Sequence, residues 1–295
     1  MYKASIDDVV IRQLFEFIAS LEQKFDAEFM FMKSGMVNGL DDTVKHCIET
    51  IVDSKTEEKP LKRKLCVMLE TNGGYIQVVE RIVRVFRKHF EEVVFIIPNC
   101  AYSAGTVLAL SGDELYMDYY SVLGPIDPQI NGVPATGYLQ KFNELMKVVN
   151  EDVRGDSTRA EAMLLIKKFD PEKLFFIEQS KIYAINLLKD WLPKYKFKSW
   201  TKTETGGKRV TDKMKTNRAA KIAEILGNPE RWHSHGRGIG IKELTNDEIK
   251  LKVIDFGIDN NLNPTIRLYY DILTDYLRKQ GIDSALHGNF GLRRL

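Results

Sequence analysis

The sequence predicts an α/β protein built on a parallel β-sheet, and three observations support this fold class. Short, mostly apolar runs at 65–70, 93–97 and 114–117 are typical of strands buried on both faces. Between them, apolar residues recur at helical spacing over 76–86, and small apolar residues fill 103–110. Because strands that alternate with helices pair in parallel through right-handed crossovers, the pattern favours one parallel sheet.

The composition is that of a soluble globular protein. Of the 295 residues, 44% are hydrophobic and 28% are charged, which excludes disordered and fibrous classes. The formal net charge is only +2, so overall charge gives no sign of a nucleic acid or membrane partner. No stretch approaches the ~18 apolar residues of a membrane span, and the N-terminus lacks a signal-peptide core. The three cysteines contain no CxxC pair and suit a reducing compartment, so we expect a cytoplasmic protein.

Helical patterns dominate on both sides of the predicted sheet. Apolar residues at helical spacing over 6–33 predict one long amphipathic helix. We therefore divide the chain into an N-terminal helical segment (1–58), a core domain with helical insertions (59–260), and a C-terminal helix with a loose tail (261–295). Further helices are predicted over 135–152, 157–169, 171–192, 211–226, 241–252 and 264–279.

The first motif with chemical potential follows the first predicted strand, where Asn72 is followed by Gly73 and Gly74. Paired glycines permit positive φ and the close approach of another chain or ligand. Amides at such a turn can bind an oxyanion, although the same residues can form a plain structural turn. The GxGxxG spacing of a dinucleotide-binding loop is missing.

Two further motifs place a serine and an aspartate at strand ends. Ser103 lies between the second strand and the next helix, where a sharp turn would expose its hydroxyl beside the Ala104 amide. A serine in this position can also be a simple helix N-cap. Asp127 precedes Pro128, which holds it in an extended conformation. A carboxylate fixed in this way can orient a histidine or form a turn.

Together, Asn72-Gly73-Gly74, Ser103-Ala-Gly and Gly124-Pro-Ile-Asp127-Pro-Gln129 resemble the serine dehydrogenase proteinase family. That family shares the Clp-protease/crotonase superfold and is related to signal peptide peptidase A. The resemblance covers 60–135 and extends more weakly to the Trp-His-Ser-His-Gly-Arg-Gly-Ile sequence at 232–239. It implies a Clp-protease/crotonase-like parallel sheet core with extensive helical additions, in which 59–260 is the catalytic domain.

The resemblance also implies a serine peptidase with a defined set of site residues. Ser103 would be the nucleophile, Asp127 the orienting acid and His235 the general base. The oxyanion hole would be formed by the amides of Gly73 and Ala104, with Gly74 as a candidate third donor. The expected substrate is a peptide or unfolded protein, and analogy with the superfold favours a homo-oligomer.

Several alternatives remain open on the sequence. Relatives of signal peptide peptidase A use a Ser-Lys dyad, so Lys141 is an alternative base. His233 and His235 have no local third ligand, and we expect neither a metal nor a cofactor. His46, His89 and His287 are predicted to lie at the surface. The fold could also serve a catalytically silent peptide-binding scaffold, or a crotonase-like acyl-CoA enzyme that uses the same pair of amides.

The stretch 192–221 is strongly basic, with eight lysines and two arginines against two acidic residues. Tyr195, Phe197 and Trp200 are interleaved with these cations. Such a pattern can bind single-stranded nucleic acid by charge and stacking. A solvated, mobile loop over 198–211 is the favoured interpretation, and a nucleic acid partner is not expected.

Overall fold

A mostly parallel seven-stranded β-sheet forms the centre of the computed structural model, which describes residues 5–127, 129–130, 133–150, 156–203, 206–232, 234 and 236–295. The strands are β1 Glu28–Lys33, β2 Lys64–Glu70, β3 Glu92–Ile96, β4 Cys100–Ala101, β5 Glu114–Met117, β6 Val122–Leu123, β7 Gln129–Ile130, β8 Val133–Pro134, β9 Ile254–Asp255, β10 Ala285–Gly288 and β11 Gly291–Arg294. The order in the large sheet is β11-β10-β1-β2-β3-β5-β9. Only β10 and β11 run antiparallel to their neighbours in that sheet. The predicted α/β fold with a parallel sheet is confirmed.

Helices cover both faces of this sheet. They are α1 Ile6–Phe25, α2 Leu40–Asp53, α3 Ile76–His89, α4 Ala104–Leu110, α5 Ala135–Asn150, α6 Asp156–Ile166, α7 Pro171–Lys194, α8 Asp212–Leu226, α9 Pro229–Trp232, α10 Ile241–Thr245 and α11 Leu262–Lys279. Because successive strand residues point to opposite faces, Met30 and Met32 join the core under α2, α3 and α7, whereas Phe29 and Phe31 pack under α1 and α11. Among the described residues, no helix has the length and apolarity needed to span a membrane.

The prediction of one helix over 6–33 is wrong. The helix ends at Phe25, and Asp26 takes a left-handed conformation with φ of +46°. The buried run that follows forms β1, which pairs in parallel with β2 at the middle of the sheet. Phe29 and Met32 fit a helical period, but their continuous apolar neighbours are typical of a strand buried on both faces.

The predictions for the C-terminal part also need correction. The expected loose tail forms β10 and β11, and β10 pairs with β1. His287, predicted at the surface, is 1% exposed, and its Nδ1 lies 2.8 Å from the Tyr269 hydroxyl. The helix predicted over 241–252 ends at Thr245, because the Asn246 side chain accepts from the next turn's amides and Lys250 has a positive φ.

Buried His287 predicts an acid-sensitive contribution to stability. Burial lowers the pKa of His287 to about 4, against an ordinary value near 6.5. As pH falls from 6.5 towards 4, the unfolded chain binds a proton that the folded chain excludes, so the free energy of unfolding should fall by about 3 kcal/mol. His287→Gln should remove this part of the slope in urea unfolding measured from pH 7 to 4. His46→Gln changes an exposed histidine and should leave the slope unchanged; equal slopes in all three proteins would contradict the assignment.

Candidate active site

Ser103 occupies a strained turn between β4 and α4. Its φ is +54° and its ψ is −119°, a region that residues other than glycine seldom adopt. The side chain makes no capping hydrogen bond to the helix that follows, so Ser103 is not a conventional N-cap. Strain of this kind, about 1–3 kcal/mol, persists only where the surroundings fix the backbone. The serine hydroxyl is therefore presented by the turn rather than used to cap the helix.

Hydrogen bonds on both sides hold this turn in place. The Thr71 N–H donates to the Cys100 carbonyl at 3.0 Å, and the Tyr102 N–H donates to the Thr71 carbonyl at 2.9 Å. The buried Thr106 hydroxyl lies 2.7 Å from the Ala101 carbonyl and 2.8 Å from that of Gly124. The segments after β2, β4 and β6 are thereby joined around Ser103.

The glycine turn packs directly against the serine turn. Gly73 has a φ of +90°, and a Cβ there would lie 2.7 Å from the Tyr102 carbonyl oxygen and 2.8 Å from the Ser103 Cβ. Gly74 has a φ of +139°, and its Cβ would lie 2.5 Å from the Met36 carbonyl oxygen. Only glycine fits at either position, because both the conformation and the space exclude a side chain.

The three amides of the expected oxyanion hole are not equivalent. The Gly73 N–H donates to the Thr71 hydroxyl at 3.0 Å and is already engaged. In the described part of the chain, the N–H groups of Gly74 and Ala104 have no hydrogen-bond acceptor. Gly74, Ser103 and Ala104 line the same cavity. Two unused donors therefore border the space beside the serine.

That cavity has a volume of about 230 Å³ and continues into a second of about 300 Å³. Gln77, Phe176 and Ser180 line both, so α3 and α7 form the walls of a single groove. The remaining described lining of the first cavity combines polar and apolar residues: Asn72, Gly74, Tyr75, Ile76, Ser103, Ala104, Val107, Ile126 and Ala184. A groove of this kind can hold an extended chain or a small apolar side chain.

The other expected site residues differ in their relation to the cavity. Asp127 is 2% exposed and follows Ile126, which lines the cavity and donates its N–H to the Leu226 carbonyl at 3.0 Å. Asp127 itself is not among the described lining residues. Lys141 lies on α5 with 62% of its side chain exposed, 3.1 Å from a Glu144 carboxylate oxygen, and it does not line the cavity either.

His235 and His233 lie outside the described residues, but the chain on either side of them is placed. The Trp232 indole donates to the Ile225 carbonyl at 2.8 Å. Ile239 exchanges two backbone hydrogen bonds with Leu123, at 2.8 and 3.0 Å. Ile239 is thus joined to β6, which leads directly into the Asp127 segment.

Sequence reasoning missed the residues that support the site. Thr71 accepts the Gly73 amide, and Thr106 joins Ala101 to Gly124. Both threonines are buried. In the sequence, only their position next to the glycine and serine motifs indicates a role at the site. Phe176 and Ser180 on α7 come from more than 70 residues downstream of Ser103, and no local pattern predicts their contact with the cavity.

Two glycine variants separate conformational strain from steric exclusion. Gly73 and Gly39 have nearly equal φ, +90° and +89°, but a Cβ at Gly39 meets nothing within 4 Å. Gly39→Ala should therefore cost about 1 kcal/mol, from backbone strain alone. Gly73→Ala should cost about 3 kcal/mol or more, because it also collides with Tyr102 and Ser103. Urea unfolding at neutral pH measures both, and equal losses would show that the two turns are not in tight contact.

Comparisons with known proteins bear on the family to which this chain belongs. The family model of ClpP-like SDH-type serine proteinases matches residues 45–222, which include Ser103 and Asp127 but end before His235. Two uncharacterized proteins of Methanocaldococcus jannaschii are similar: MJ1495 is 29% identical over 54% of this chain and 55% of its own length, and MJ0137 is 30% identical over 55% and 52%. The chain thus spans about half the length of these curated relatives.

Two solved structures of the 1510-N membrane-bound stomatin-specific protease are also similar to this chain. Their TM-scores are 0.42 and 0.44, with 15% and 16% identity, and the second contains a substrate peptide. Each covers 78% of this chain, and the matches cover 79% and 74% of the solved chains. The family match is the decisive one, since it covers more than half of the 295 residues, and it places the chain in the ClpP-like SDH-type serine proteinase family.

Proposed function

We propose that this protein is a serine peptidase with Ser103 as its nucleophile. The observation that carries the proposal is the strained turn that presents Ser103 to a cavity beside the Gly74 and Ala104 amides. A nucleophile needs an exposed hydroxyl, and acyl transfer needs donors for the oxyanion that develops. The family match adds the reaction class.

In the proposed reaction, the Ser103 Oγ attacks the carbonyl carbon of the scissile peptide bond. The carbonyl oxygen becomes an oxyanion that accepts hydrogen bonds from the Gly74 and Ala104 N–H groups, each worth about 2.7–4 kcal/mol in the transition state. Gly73 acts through its shape, because its own N–H is held by Thr71. The general base takes the Oγ proton and passes it to the departing amine as the C–N bond breaks. Water, deprotonated by the same base, then attacks the acyl-enzyme, which releases the carboxylic acid and reprotonates Ser103.

We further propose His235 as the general base and Asp127 as the carboxylate that orients it. Asp127 is buried on the segment that continues from β6, and Ile239, four residues after His235, pairs with Leu123 in that same strand. Lys141 is the competing base. Its exposure and its ion pair with Glu144 count against it within one chain, because a lysine base requires burial to lower its pKa.

The proposed substrate is an extended peptide or unfolded protein segment lying in the groove between α3 and α7. We also propose that the chain forms a homo-oligomer. Exposed apolar side chains on α6 and α7 support this, since large apolar residues of this kind commonly mark association surfaces. Those that lie outside the described lining of the groove are Met163, Leu164, Leu165 and Phe175.

The nucleophile is tested by reaction with a fluorophosphonate probe. The probe should label the wild-type protein on Ser103 and fail to label Ser103→Ala, which keeps its fold because it removes one partly exposed hydroxyl. Ser180→Ala removes another hydroxyl from the same cavity and should label normally. Peptide mass mapping identifies the modified residue. If the folded wild-type protein is not labelled, the result favours the catalytically silent scaffold. If the unlabelled protein also binds CoA saturably, the result favours the crotonase-like enzyme.

The base is tested by comparing His235→Ala with Lys141→Ala. Loss of a general base typically lowers the rate by 10²–10⁴-fold, so His235→Ala should slow probe labelling by about that factor. Lys141→Ala should label at close to the wild-type rate, because that lysine is solvated and paired with Glu144. Quenching the labelling reaction at a series of times, at near-neutral pH, gives the labelling rate of each variant. If the lysine variant alone loses labelling, the protein uses a Ser-Lys dyad.

A further inference from the structure

A separate cavity lies far along the chain from the Ser103 groove, and the two have no described lining residue in common. Its volume is about 580 Å³, within the range of small-molecule sites. The described lining consists of Lys196, Phe197, Ser199, Trp200, Thr203, Arg218, Lys250 and Lys252. The carboxylates that act on Lys196 include Asp113 and Glu114, at the amino-terminal start of β5. The cavity is therefore near the edge of the sheet opposite to the strand ends that carry Gly73 and Ser103.

All charged side chains in the described lining of this cavity are positive. Four of its described lining residues are cations and none is acidic. Among the neighbouring acids, Asp113 accepts from Arg87 at 2.6 Å, whereas Asp247 pairs at 3.0 Å with Lys250 and offsets the charge of that one cation. Lys196, Arg218 and Lys252 remain as the cations that can face a ligand. Burial lowers the pKa of Lys196 to about 8, so bringing this ammonium group into the cavity wall has a cost. A bound anion would offset the repulsion among these cations.

An aromatic wall stands beside the cations. Trp200 is half-buried and lies edge-on to Phe197, with ring centroids 5.8 Å apart. The Phe197 ring is buried and fixes the position of the indole. A planar heterocycle can stack on a tryptophan face that is held in this way, and this contact is worth about 1–3 kcal/mol in base recognition.

We propose that this cavity binds an organic phosphate of the nucleotide class, with its phosphates held by Lys196, Arg218 and Lys252 and its base against Trp200. Lysines and arginine supply the charge that phosphate oxygens need, and the indole distinguishes a nucleotide from an inorganic anion. A volume of about 580 Å³ suits one small molecule rather than a long strand. The proposal is independent of peptidase activity, because no residue of the Ser103 groove takes part.

Isothermal titration calorimetry with ATP, in the absence of divalent metal, tests the site on the full chain. ATP should bind one site per chain, and its Kd should rise with salt concentration because the attraction is ionic. Lys252→Gln removes an exposed cation of the cavity and should raise the Kd by about tenfold. Lys221→Gln makes the same change on an exposed face of α8, outside the cavity, and should leave the Kd within about twofold.

Trp200→Leu separates stacking from charge. It should weaken ATP by about tenfold and leave the affinity for inorganic phosphate unchanged. Lys196→Gln should weaken both ligands, with circular dichroism confirming its fold. No ATP binding to the folded wild-type protein would overturn the proposal. Equal losses of ATP affinity in Lys221→Gln and Lys252→Gln would also overturn it. So would a protein that binds a thymidine oligonucleotide but does not bind ATP.

Discussion

The site depends on one contact between two backbone turns that leaves no room for a side chain. The glycine turn after β2 packs against the Tyr102–Ser103 backbone, and the Met36 segment after β1 holds it from the other side. Met36 accepts from Tyr75 at 2.7 Å and donates to the Gly73 carbonyl at 2.8 Å. Since Ser103 and Gly74 are oriented by this contact, the conformation of the proposed nucleophile and the position of the proposed oxyanion donors are linked.

The parallel sheet explains why these pieces meet. β1, β2 and β3 run in the same direction, so the segments that follow them emerge at one edge. Gly105 allows the start of α4 to approach this edge, because a Cβ there would collide with the Thr71 Cγ2. The small residues around Ser103 are thus required by close packing, and that packing brings the Ala104 amide beside Gly74.

Local pattern was sufficient to predict the middle of the fold. Apart from the unpredicted two-residue strand β4, the strands and helices between 64 and 117 follow the predicted order, since each shows one clear hydrophobic period. β1 was missed because Phe29 and Met32 fit both a helix and a buried strand. β10 was missed because its pairing with β1 joins residues more than 250 positions apart. A sequence pattern predicts which face an element buries, but not which distant element covers it.

The candidate site likewise combines residues that local sequence predicts with contacts that only the tertiary structure provides. Ser103, Gly74 and Ala104 could be named from short motifs, and the structure brings them to one cavity. The engagement of Gly73 by Thr71, and the walls supplied by α7, depend on tertiary contacts that no motif records. The composition of the basic run at 192–221 likewise predicts a solvated face, whereas in the structure Lys196, Trp200 and Arg218 line a cavity. The other two cations of that cavity, Lys250 and Lys252, come from a distant part of the sequence.

The most direct measurement is the crystal structure of the protein with a phosphonate covalently bound to Ser103. If the two turns form an oxyanion hole, the phosphoryl oxygen will lie about 3 Å from the amide nitrogens of both Gly74 and Ala104. The Gly73 amide will still be bound to Thr71. An adduct whose oxygen points into solvent, or a Ser103 that the reagent reaches only after the glycine turn moves away, would contradict the account.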